Sequence, residues 1–119
     1  MIGVVYVQHE MKLESYFFNC LKNGTKRIEI RLNDEKRKNV KIGDIIRFRE
    51  VTNEINYIDA YVEELFYFDN FEDLVNHFDI RLTADKIYSK DKLLNNLQKM
   101  YSKEQQEKYK VVGIKVTLK

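Results

Sequence analysis

The change of period at Gly24 constrains this chain most. Before it, Leu13, Tyr16, Phe17, Cys20 and Leu21 recur at the spacing of one helix face. After it, residues 26–32 alternate. Ile28, Ile30 and Leu32 take one side, and Arg27, Glu29 and Arg31 take the other. A helix over 13–23 must therefore feed a half-buried strand over 26–32, with Gly24 placed where a helix ends in the left-handed conformation. Glu29 and Arg31 share a strand face. Lys26 lies three residues from Glu29, so strict alternation puts it on the opposite face. If all three serve one site, the chain must bulge or turn near Arg27.

The other segments extend the same mixed pattern. Residues 2–8 are β-branched and short, and read as a first strand. Asp34 is placed to cap a short helical turn reaching Asn39. Gly43-Asp44 precedes a strand over 45–51, and Thr52-Asn53 a long strand over 55–68, whose alternation slips at Glu63-Glu64 in the manner of a bulge. Asn70 caps a helix with Phe71, Leu74, Val75 and Phe78 in one stripe. Ser89 caps another, with Leu93, Leu94, Leu97 and Tyr101 inward. Ser102 and Gln105 have capping-box spacing. The last strand, 111–118, is broken by Gly113. The sum is α+β: about five strands, three to five helices, and a mostly antiparallel sheet with helices packed outside. Strands near both ends suit a closed or nearly closed barrel, because closure removes exposed edges.

At 119 residues the chain is about one domain long and can bury a core without metals or disulfides. The lone Cys20 cannot form an internal disulfide and reads as a small buried hydrophobe in a reducing cytoplasm. No apolar run approaches membrane-helix length, and the N-terminus lacks the pattern of a signal peptide. No metal-ligand spacing, phosphate loop or dinucleotide fingerprint is present, so no metal or cofactor is expected. The net charge of +2 hides a strong asymmetry: residues 22–49 carry +6, residues 50–85 carry −9, and residues 86–119 carry +6. Such segments either build a basic patch that meets phosphates or interleave and cancel.

Gly24, Lys26, Glu29 and Arg31 spell G-x-K-x-x-E-x-R, which resembles the signature of ASCH domains. HEMKL at 9–13, RLNDEKR at 31–37 with VKIGD at 40–44, and YSKEQQEKYKVVGI at 101–114 look like bacterial members in the same order. The resemblance implies one domain over 1–119 with a PUA-like, mostly antiparallel β-barrel of about five to six strands. It also implies a motif-lined cleft for RNA or a nucleotide-like ligand. Gly24, Thr25, Lys26, Glu29 and Arg31 form the expected ligand-binding set, joined by His9. Some relatives remove the acetyl group of N4-acetylcytidine through a Lys, a Thr and a distant Glu. Lys26 matches the Lys, but Glu29 stands where the Thr belongs. Others are ribonucleases.

Three functions fit this reading. A binding module would use Lys26 and Arg31 on phosphates or base edges, oriented by Glu29. A small hydrolase acting on RNA or a modified nucleoside would use Lys26 to activate a nucleophile or stabilise an oxyanion and Glu29 as general base. A regulatory interaction domain would use the acidic middle. Tyr57, Tyr61 and Tyr67 are candidates for base stacking or for plain sheet packing. His77 should face solvent.

Overall fold

The computed structural model describes residues 7–85 and 88–119. In chain order these form β1 (Gln8–Leu13), α1 (Ser15–Lys22), β2 (Ile28–Leu32), a 3-10 turn (Arg37–Asn39), β3 (Ile45–Glu50) and β4 (Asn53–Phe68). There follow α2 (Phe71–His77), α3 (Ile80–Thr83), α4 (Lys90–Met100), α5 (Lys103–Tyr109) and β5 (Val111–Leu118). Most of the strand expected over 2–8 lies outside the described residues. The described first strand sits later, over 8–13, where Met11 and Leu13 alternate inward against Lys12 outward.

The five strands make one sheet in the order β1-β3-β4-β5-β2. β1 runs parallel to β3, and every other pairing is antiparallel. The sheet curls into a half-barrel with helices outside, a PUA-like α+β fold. Among the described residues it does not close, because β1 and β2 are its two edges and share no ladder. The register of β4 against β5 shifts between Val62 and Glu64, where the alternation slips in the sequence.

With no proline to start helices, side-chain caps do so. The Asn70 side chain accepts from the Asp73 amide at 2.8 Å, and Ser89 Oγ from the Lys92 amide at 3.0 Å. Ser102 and Gln105 complete a reciprocal capping box. The single-turn helix α3 has no apolar stripe to announce it. Its signal is local: the Asp79 side chain accepts from the Arg81 amide at 2.9 Å.

The core has two parts. Inside the half-barrel, Met11, Leu13, Phe18, Leu21, Ile46, Phe48, Val112 and Ile114 pack together. On the outer side of β2 and β5, Ile28, Ile30 and Leu32 pack against Phe71, Leu74 and Phe78 of the α2 region and against Leu93 and Leu97 of α4. Phe17 touches both clusters. β5 is therefore buried on both faces. Gly113 does not break it, because β5 runs unbroken through residue 113. A Cβ at Gly113 would meet Phe78 Cε2 at 3.1 Å and Ile28 Cγ2 at 3.5 Å, so glycine here makes room for the Phe78 ring. Gly113→Ala is expected to lower stability by about 1–3 kcal/mol through overpacking. Denaturant unfolding midpoints check this, and an unchanged midpoint would show that the ring shifts freely.

Candidate functional site in the open seam

The site begins with the end of α1. Asn23 closes the helix and Gly24 follows with φ +82°. The Cys20 carbonyl then accepts from the Thr25 amide, the Lys26 amide and Thr25 Oγ1, each at 3.0 Å. This hook folds the chain back before the strand starts. The Arg27 amide donates to the Leu82 carbonyl at 2.6 Å, and β2 begins only at Ile28. Lys26 is thus outside the strand's alternation, and its side chain reaches the same side as Glu29.

That side is the interior of the half-barrel. Glu29 pairs with Ile114 and Arg31 with Val112, and both partners belong to the inner core. β2 is consequently not half-buried. Lys26 is 3% exposed and Glu29 5%. The sequence shows an alternation of charge, but only the curl of the sheet turns the charged face inward.

A triad results. Glu29 Oε1 accepts from the Ile30 amide at 3.0 Å and lies 3.2 Å from Lys26 Nζ. Glu29 Oε2 accepts from Arg31 Nε at 3.0 Å and lies 2.9 Å from Nη2. Lys26 Nζ also donates to the Ile28 carbonyl at 2.6 Å and the Thr83 carbonyl at 3.0 Å, so two of its three donors are taken by carbonyls while its charge faces Glu29. It sits 5.4 Å from the Phe17 ring centroid. Arg31 Nη2 donates to the Lys12 carbonyl at 2.6 Å and so bridges the two unpaired edges β2 and β1. Among the described residues Arg31 Nη1 has no partner.

Burial alone would raise the Glu29 pKa, but Lys26 and Arg31 outweigh it and hold the carboxyl below its ordinary 4.5. Burial would likewise lower Arg31, and Glu29 outweighs it upward. A depressed carboxylate contributes stability above the unfolded value and loses it as pH falls through the folded value. Acid unfolding of the wild type is therefore expected to steepen below pH 4.5. Glu29→Gln, having no such proton to take up, should give a shallower slope of stability against pH there; equal slopes would contradict the assignment.

A cleft of about 460 Å³ opens on this triad. Lys26, Glu29 and Arg31 line it together with Lys12 and Phe17, and Leu93 and Leu97 of α4, with Tyr101 just past its end, form the facing wall. The sequence marks these α4 residues as core. Leu93 and Leu97 are core, yet the same residues also line the cleft. Thr83, whose carbonyl anchors Lys26, has no sequence signal, since α3 itself is cryptic.

The remaining expected site residues lie elsewhere. Gly24 and Thr25 line a different cavity, with Arg27, Arg81 and Leu82. His9 Nε2 lies 2.8 Å from Asp44 Oδ2, and that carboxylate also accepts from the Lys41 and Val7 amides. Burial opposes ionisation of Asp44, but these bonds prevail and lower its pKa. His9 therefore ties β1 to the turn before β3 and does not line the cleft. Tyr57, Tyr61 and Tyr67 are exposed on β4, also outside the cleft, and the Arg47 guanidinium lies 4.0 Å from the Tyr57 centroid. His77 is exposed, beside Phe66, Phe68 and Phe78. Among the described residues no group of three or more His, Cys, Asp or Glu side chains could hold a metal ion, and no helix is long and apolar enough to cross a membrane.

A PUA-like half-barrel with a charged seam defines the class of this protein. The chain belongs to the ASCH domain family, whose model matches residues 11–119. It is similar to the crystal structure of hypothetical protein PH0355, with 27% identity, a TM-score of 0.83, and coverage of 95% of this chain and 100% of that one. It is also similar to the solution structure of protein PF0455 from Pyrococcus furiosus, with 26% identity, a TM-score of 0.73, and coverage of 94% and 97%. A serine-to-alanine variant of ZmASCH from Zymomonas mobilis shares the fold at 14% identity and a TM-score of 0.59, with coverage of 92% and 67%. No curated protein matches the chain.

Proposed function

We propose that this ASCH domain binds RNA or a nucleotide-like ligand in the seam cleft and does not turn it over. The observation that carries this reading is the state of Arg31. Glu29 and the Lys12 carbonyl fix its guanidinium, its Nη1 has no partner among the described residues, and Arg31 lines an apolar-walled cleft. A planar fork held rigid in this way suits a phosphate or a base edge. Phe17 and Tyr101 supply aromatic surface for a base.

The hydrolase reading fares worse on the same geometry. The two oxygens of Glu29 each accept one hydrogen bond, from the Ile30 amide and Arg31 Nε, and each faces a further cationic nitrogen; its pKa is lowered, and both features oppose proton abstraction. Two of the Lys26 donors are taken by carbonyls and its charge is paired with Glu29, which weakens it as an oxyanion partner. These two residues, the candidates for catalysis, serve the binding reading better as the frame that holds Arg31.

The test is titration of labelled single-stranded RNA and nucleoside monophosphates, with N4-acetylcytidine and RNA turnover assayed in parallel. Saturable, salt-sensitive binding without turnover is the expected result. Arg31→Lys keeps the charge but cannot span both Glu29 and the Lys12 carbonyl. It should weaken binding about ten- to a hundredfold, the range of a charge-assisted hydrogen bond. Turnover by the wild type that is lost in Lys26→Ala would overturn the reading.

A further inference from the structure

A third cavity, of about 510 Å³, adjoins the cleft, and Lys12 and Arg31 line both. Lys36, Arg37 and Arg49 complete its basic lining, against two carboxylates, Glu10 and Glu54. Both carboxylates already have cations. Arg49 reaches Glu10 Oε1 at 3.1 Å, and Lys12 Nζ lies 2.8 Å from Glu54 Oε1. The unengaged positive charge belongs to Lys36, which is exposed and forms no ion pair among the described residues. Arg37 donates through Nη1 to Asp34 at 3.1 Å, yet its buried Nε has no partner among the described residues. A cavity so lined suits an anion of high charge density.

Arg31 stands at the junction of the two cavities. Resting on the binding function proposed for the cleft, we propose that the cavity of Lys36, Arg37 and Arg49 is a phosphate subsite. The ligand is then a single strand of two or more nucleotides crossing Arg31, not a free nucleoside. A base lies in the apolar-walled cleft, and a neighbouring phosphate meets Lys36 and the Arg37 side of the seam. The RLNDEKR segment thus acquires a role: its first arginine serves the cleft and its last two residues, Lys36 and Arg37, supply the flanking cations, positioned by the turn that Asp34 caps.

The experiment compares a 5′-labelled mononucleotide with two- and four-nucleotide RNAs by anisotropy over a salt series. The wild type should bind the tetranucleotide on the order of tenfold more tightly than the mononucleotide. Its log–log salt slope should be steeper by about 0.7 for each added phosphate contact. Lys36→Glu, an exposed change that breaks no hydrogen bond or ion pair among the described residues, should draw the oligomer-to-monomer ratio towards one and reduce the slope. Lys36→Ala should do the same more weakly. A measurable mononucleotide affinity with no gain on lengthening overturns the subsite and leaves the cleft reading standing. Absence of binding by every RNA overturns both. A poly-glutamate peptide of matched charge that competes as well as the tetranucleotide overturns the assignment to a polynucleotide.

Discussion

Glu29→Ala is expected to destabilise the protein by about 3–5 kcal/mol, the usual cost of removing one partner from a buried ion pair. The substitution leaves Lys26 and Arg31 as two like charges at the inner face of β2, and it strips the Ile30 amide of its acceptor. Lys26 keeps its two carbonyl acceptors and Arg31 keeps the Lys12 carbonyl, so the fold survives with its seam loosened. Glu29→Gln retains the shape and should cost less. Domains of this size are commonly stable by roughly 5–15 kcal/mol, so the alanine variant loses a large share of the total. Chemical denaturation at pH 7 measures it. A loss within the 0–1 kcal/mol typical of exposed pairs would mean that water reaches the triad. The penalty should also shrink in acid, where the wild-type carboxylate itself becomes protonated.

Phe48→Ala should cost a similar amount for a different reason. Phe48 is fully buried at the centre of β3, among Met11, Leu13, Phe18 and Leu21. Truncation removes apolar burial and leaves a cavity, for which about 3–5 kcal/mol is usual. Its consequence is local as well as global. β3 carries the whole ladder of β1, and β1 presents the Lys12 carbonyl to Arg31. Weakening β3 packing should thus loosen the seam from its far edge. Hydrogen exchange should show protection lost first in β1, and RNA affinity should fall although Phe48 does not line the cleft. Unlike the Glu29 penalty, this one should not vary with pH between 4 and 7, since no titrating group is altered. Uniform loss of protection over all five strands would show that β1 does not open separately.

The comparison of Glu29 with Phe48 separates what local pattern can tell from what it cannot. Helix caps at Asn70, Ser89 and Ser102 are legible because each uses side chains within three residues of the bond they make. The bulge near Glu63 is legible because a slip in period-two alternation is itself the signal. α3 is not legible, since four residues cannot display a helical period. Its importance comes from the Thr83 and Leu82 carbonyls meeting Lys26 and Arg27 across more than fifty positions of chain. His9 illustrates the reverse case. Its proximity to a family motif suggests the cleft, but the strand direction delivers it to Asp44.

By itself the sequence determined the mixed α+β class, the helix-to-strand passage at Gly24 and the family. These depend on periodicity and on short motifs carried by neighbouring residues. It also required a turn near Arg27 if Lys26, Glu29 and Arg31 were to meet. Tertiary structure alone decided that they meet inside the barrel, because burial of the charged face depends on how the sheet curls and on which strands remain unpaired. It likewise decided that α4 walls the cleft and that Arg31 crosses the gap to Lys12. Those contacts join segments distant in the chain, and no local spacing encodes the free energy that brings them together.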